Sequence, residues 1–162
     1  MAAPERLWDR AQRYIEREQI TAARITLEAL LQRVPDHVPA RMLLASTILS
    51  EGRIREAALH TIYAVQHMPN DVDAICMAAH CLKRLGETVV ARDLLRHPEI
   101  TKSNNGRALL ELSHAQQALG NHPEALRLMN QARMTGYDSP EFRYYRGLQL
   151  QFNGFLKEAE AE

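Results

Sequence analysis

The 162-residue chain reads as an all-α protein, a right-handed superhelical solenoid of helix-turn-helix repeats, about four and a half of them. Three observations predict this. Gly52, Gly86, Gly120 and Gly154 stand at one interval of 34 residues. Ala57, Ala91, Ala125 and Ala159 repeat the interval, each five residues after a glycine. Pro35 and Pro69, again 34 apart, close two successive units. A period of this length is the mark of stacked helical hairpins, none of which can bury its apolar face alone.

Placing each glycine at the fifteenth position gives a single array over 1–162, with repeats 4–37, 38–71, 72–105, 106–139 and a partial 140–162. Each repeat holds a helix A and a helix B. The glycine ends helix A because it takes the left-handed conformation that other residues avoid. In the first repeat Glu18 stands in its place, so the register rests on Leu7, Ala11 and Tyr14 in helix A and Ala23, Leu27 and Leu30 in helix B. The second repeat carries Leu44, Ala45 and Ile48, then Ala57, Thr61 and Ala64. Small residues there let two helices approach, and the larger ones fill the space between turns.

The third repeat breaks the rule, with Pro98 inside the expected helix B. A mid-helix proline costs about 3 kcal/mol, so the helix is expected to stop near His97. Pro98 to Gly106, with Ser103, Asn104 and Asn105, then reads as a loop or short distorted turn. The register resumes with Leu112, Gly120, Ala125 and Ala132. In the fourth repeat Tyr137 replaces the closing proline, beside Gly136. The fifth supplies a helix A near 141–153 and starts a helix B at Phe155, Leu156 and Ala159. All three phenylalanines and three of the five tyrosines lie between Tyr137 and Phe155, an aromatic, uncapped edge. It is expected to continue into further sequence or to be covered by a partner.

On these residues the chain resembles the tetratricopeptide repeat (TPR) family over its whole length. The resemblance implies a protein–protein interaction module, with helix A lining a concave groove through its second, fifth, ninth and twelfth positions. The fifth and ninth positions are Trp8 and Gln12, Met42 and Ser46, Cys76 and His80, Leu110 and His114, and Tyr144 and Leu148. Asp73, Lys83, Arg107, Gln117 and Glu141 stand at the edges. This mostly apolar strip, with soft and aromatic members, suits a protein or peptide segment held by side-chain anchors. Family members that grip a chaperone's C-terminal carboxylate present Lys and Asn at the fifth and ninth positions of one repeat. No repeat here has that pair, so the fixed donors a carboxylate needs are missing.

Chemistry is expected to be absent. Cys76 and His80 lie four apart on one helix face, and His114 takes the slot of His80 one repeat on. Three such ligands suit zinc. No acidic residue obviously completes or orients the set, so groove lining is the preferred reading and no metal or cofactor is expected. Ser46 and His80 have no buried acid in register for hydrolysis, and no P-loop, GxGxxG or HExxH occurs.

Bulk properties agree with a protein-binding role. The 20 basic and 20 acidic residues cancel, and no repeat carries more than one net charge. Nucleic acid calls for a basic stripe and an anionic membrane for a basic cluster, so neither partner is expected. The first twelve residues alternate charged and apolar types, unlike an export leader. No stretch reaches the ~18 apolar residues of a membrane span. Cys76 and Cys81 are too far apart on a helix to bridge, since a disulfide needs Cα atoms within about 7 Å. Reduced thiols and no leader place the expected protein in the cytoplasm.

A finer resemblance comes from the last repeat. The run from Phe142 to Gly154, with Tyr144, Tyr145 and Gly147, then Glu158 to Glu162, is similar to bacterial proteins that join an N-terminal TPR array to a sulfotransferase domain. Leu7 with Trp8, Leu30 with Leu31, and Pro35 to His37 are similar in style. This resemblance implies the non-catalytic arm of a larger enzyme. The alternatives are a free-standing adaptor or chaperone, and a self-associating array that dimerises through the aromatic edge.

Overall fold

The computed structural model describes residues 3–102, 104–152 and 154. Ser103, Asn153 and the expected last helix at Phe155, Leu156 and Ala159 lie outside the described residues, as does the stretch Glu158 to Glu162. Among the described residues there are ten helices and no strand. They are α1 (Pro4–Glu16), α2 (Ile20–Arg33), α3 (Val38–Ser50), α4 (Ile54–His67), α5 (Val72–Arg84), α6 (Thr88–Leu95), α7 (Pro98–Thr101), α8 (Gly106–Ala118), α9 (His122–Met134) and α10 (Pro140–Phe152). The chain divides into two compact units, 1–74 and 75–162. In the first, α1 packs on α2, α2 on α3 and α3 on α4; in the second, α8 meets α6, α7 and α9, and α9 meets α10.

The 34-residue lattice is a packing lattice. Ala57, Ala91 and Ala125 are each fully buried, as is Ala23 at the same position of the first repeat. Helix A matches them with Ala11, Ala45, Ala79 and Ser113, all buried. A larger side chain at either place would force the helices of a hairpin apart. Leu27, Leu30, Ile48, Leu112 and Leu128 fill the intervening core.

The turns explain the glycines. Gly52 takes φ +78°, its N–H donating to Leu49 at 2.9 Å while the Arg53 N–H reaches back to Ile48 at 3.1 Å. This pairing satisfies carbonyls that the end of helix A leaves open. The first repeat makes the same turn without glycine. Glu18 adopts φ +57°, its N–H donating to Ile15 at 3.0 Å and the Gln19 N–H to Tyr14 at 2.8 Å. The left-handed region costs an L-residue roughly 1–2 kcal/mol, which glycine avoids at some cost in unfolded-chain entropy. Glu18→Gly should therefore stabilise the protein by about 1 kcal/mol in chemical denaturation. An unchanged or lowered midpoint would show that the turn is not strained.

A second lattice emerges from the structure. His37, Asp71, Asn105 and Ser139, spaced by 34, each precede a helix A and accept a hydrogen bond from the N–H three residues on. The partners are Ala40 (3.1 Å), Ala74 (3.0 Å), Ala108 (3.1 Å) and Phe142 (3.0 Å). Caps of this kind contribute about 1 kcal/mol each.

The third repeat ends helix B early, at Leu95, as Pro98 demands. The expected loop is partly helical. Pro98 to Thr101 make one helical turn, capped by the His97 Nδ1 accepting from the Glu99 N–H at 3.1 Å. Pro98 sits at the start of that turn, where its missing N–H costs nothing. Ile100 is fully buried, and Gln131 donates to the Thr101 carbonyl at 3.2 Å. Burial of Ile100, the His97 cap and the Gln131 hydrogen bond together hold the segment.

Candidate functional site

Fifth and ninth positions lie one turn apart on helix A and so share a face. In the first unit these residues serve different ends. Trp8 is half-buried, its ring centre 5.0 Å from that of His37. Met42 packs on the buried cluster of Val38, Ala64 and Ala74. Gln12 and Ser46 are exposed, and the Ser46 hydroxyl donates to the Leu43 carbonyl at 2.8 Å. Nearby, the Arg41 guanidinium lies 3.8 Å from the Tyr63 ring centre, a cation–π contact outside the expected set.

In the second unit Cys76, His80 and His114 are half-buried and Tyr144 is exposed. Leu110 departs from the expectation of groove lining. It is only 4% exposed, so its side chain belongs to the core. The expected shortage of acid is also overturned. Glu111, on α8, brings its Oε2 to 3.8 Å from His80 Nδ1 and 3.4 Å from Lys83 Nζ, both on α5. Burial alone would raise the Glu111 carboxyl, but the neighbouring His80 and Lys83 outweigh it and hold it at about 2. Among the described residues, no three His, Cys, Asp or Glu side chains gather as a metal site.

His114 stands one repeat beyond His80, and Tyr145 of α10 meets it, ring centres 4.1 Å apart and tilted by 54°. Burial, then the positive Lys83, push the His114 imidazole down to about 4, so it is neutral at physiological pH. Its Nε2 is buried with no hydrogen-bond partner among the described residues. Tyr144 meets Tyr145 edge-on at 5.4 Å and is 64% exposed. Beside these rings opens a cleft of about 400 Å³, lined by Lys83, His114, Gln117, Ala118, His122 and Tyr145. Of the expected aromatic edge, Phe142 is buried, with Tyr137 edge-on to it at 5.7 Å. Among the described residues of that edge, Tyr144 is the ring left in water.

Glu111, Tyr145, Ala118 and His122 are the lining or partner residues that reading of the groove positions of helix A misses. A signal for two of them exists. His80 to Glu111 and His114 to Tyr145 are both separations of 31 residues, the ninth position of one repeat meeting the sixth of the next.

No protein-family model matches the chain, and no curated protein matches it. Solved structures do. MamA 41-end from Desulfovibrio magneticus RS-1 is similar over 98% of this chain and 89% of that one, at 14% identity and TM-score 0.83. TTC0263, a thermophilic TPR protein in Thermus thermophilus, is similar over 98% and 87%, at 20% identity and TM-score 0.78. YrrB, a TPR protein with an unusual peptide-binding site, is similar over 92% and 77%, at 16% identity and TM-score 0.73. At these identities the likeness shows the fold, an all-α helical-repeat array of the tetratricopeptide kind.

Proposed function

We propose that this chain is a protein-recognition module that holds a segment of a partner on the helix A faces, with α5, α8 and α10 as its main platform. The observation that carries the proposal is the cleft in the second unit, with a tyrosine left 64% exposed at its side. Exposed aromatic rings beside a concavity, with few charges, are the composition of binding hot spots rather than of a solvated surface. The neighbour YrrB, a TPR protein with an unusual peptide-binding site, supports the same reading. Trp8, Gln12, Met42, Ser46, Cys76, His80, His114 and Tyr144 are its candidate contacts; Leu110 supports them from the core. No catalytic role, metal or cofactor enters this reading, and neither a nucleic acid nor a membrane surface is its partner.

A peptide selected against the protein from a random display library should lose about tenfold in affinity on Tyr144→Ala, the scale of one aromatic anchor. A selected peptide indifferent to that change would move the site off this face.

The array is further proposed to act in the cytoplasm as the N-terminal arm of a larger bacterial protein, in line with its likeness to repeat–sulfotransferase chains. A free-standing adaptor, or a homodimer built through Tyr144 and its neighbours, are the rival arrangements. The mass of the native gene product, compared with that of 162 residues, separates an arm from the other two.

A further inference from the structure

The cleft of the second unit admits one kind of side chain better than others, and its lining says which. Its volume of about 400 Å³ has room for an aromatic side chain. The rings of Tyr145 and His114 and the methyl of Ala118 supply apolar contact. Its charges are already balanced. The Lys83 ammonium is 3.4 Å from the Glu111 carboxylate, which also faces His80 at 3.8 Å. An incoming ion would lose hydration and gain no uncompensated counter-charge. A neutral guest is favoured.

The buried His114 Nε2 then selects the polar group of that guest. It lacks a hydrogen-bond partner among the described residues, and a buried polar atom in that state stays penalised until one arrives. An imidazole nitrogen donates or accepts according to tautomer. A phenol O–H can do either in return, whereas an indole N–H only donates and a plain phenyl ring does neither.

We propose that this cleft binds a tyrosine side chain of the partner segment, its ring against Tyr145 and its hydroxyl hydrogen-bonded to His114 Nε2. Entry moves the Tyr145 ring that lies against His114. The inference rests on the recognition reading above and names the anchor that reading leaves open.

The test uses 4-methylphenol, the tyrosine side chain itself, titrated into ¹⁵N-histidine-labelled full-length protein. The expected result is a saturable shift of the His114 Nε2 resonance together with the Tyr145 ring signals. Toluene and 4-methylphenyl phosphate should each bind at least fivefold more weakly. His114→Phe should weaken 4-methylphenol at least fivefold, while Leu59→Ala, a surface change in the first unit, should leave it unaltered. Should His114→Phe fail to fold by circular dichroism, the wild-type ranking of the three probes decides alone. Toluene binding as tightly as 4-methylphenol, the phosphate binding more tightly, or no shift at His114 would each overturn the proposal. A selected peptide without tyrosine that depends on Tyr144 but not on His114 would also overturn it, while leaving the recognition reading intact. If no peptide depends on Tyr144, the recognition reading falls, and the 4-methylphenol titration still decides the cleft.

Discussion

Gly106→Ala should destabilise the protein by about 3 kcal/mol, a fall of roughly 10 °C in the thermal midpoint. Gly106 opens α8 and is buried. A methyl group there would run into Cβ and Cγ of Tyr137, with Cγ at 2.7 Å, and would stand 2.8 Å from Thr135 Oγ1. The backbone does not call for glycine, because only a positive φ would, and Gly106 has none. Two effects oppose each other. Alanine favours a helix over glycine by about 1 kcal/mol, but an overlap with a neighbour's Cβ cannot be relieved by turning a side chain. The steric term wins. Tyr137→Gly removes both carbons, so the double variant should lose markedly less than the sum of the single ones. A change of less than about 2 °C for Gly106→Ala would mean that α8 and the turn before α10 sit further apart than they do here.

Acidification should cost the fold about 3 kcal/mol between pH 6.5 and pH 4, most of it through His114. Burial and Lys83 hold that imidazole at about 4, below its unfolded value of 6.5. The folded state therefore takes up its proton later than the unfolded chain does. Its contribution is complete above pH 6.5 and is lost as pH falls towards 4. Glu111 acts in the same direction in a lower window, with its folded value of about 2 against 4.5 unfolded. The groups that face His114 are Lys83, Glu111, His80 and Tyr145. Urea midpoints across pH 7 to 4 measure the loss, and His114→Phe should flatten most of it above pH 4.5 while leaving the Glu111 portion. An equally steep dependence in His114→Phe would place the titrating group elsewhere.

The fold was legible because its constraints fall on single positions. Gly52, Gly86 and Gly120 need a left-handed turn, and Ala57, Ala91 and Ala125 need contact between helices, so each position tolerates few residue types. Glu18 shows the limit of that code. The turn survives a residue that strains it, because α1 and α2 still pack through Leu7, Ala11, Ala23 and Leu27. Pro98 announced the early stop of α6, but the helical turn after it depends on burial of Ile100, a tertiary fact no local pattern carries.

The site was legible in part. Positions five and nine mark a face, yet whether a side chain there meets solvent depends on the neighbouring repeat. Leu110 shares its slot with Tyr144, and one is buried while the other is exposed. Glu111 and Tyr145 entered through contacts between repeats, 31 residues apart, which a reading confined to one helix at a time does not join. The capping ladder of His37, Asp71, Asn105 and Ser139 was present in the spacing, but its four residue types share only an acceptor atom.

The central claim is that partner binding lies on the helix A face of the second unit. Amide and side-chain shift mapping of a display-selected peptide on the full chain tests it most directly. The account predicts perturbations concentrated at His80, His114, Tyr144 and Tyr145 on α5, α8 and α10. Perturbations gathered instead around the exposed Ile25 and Leu59 on α2 and α4, with the tyrosines silent, would contradict it.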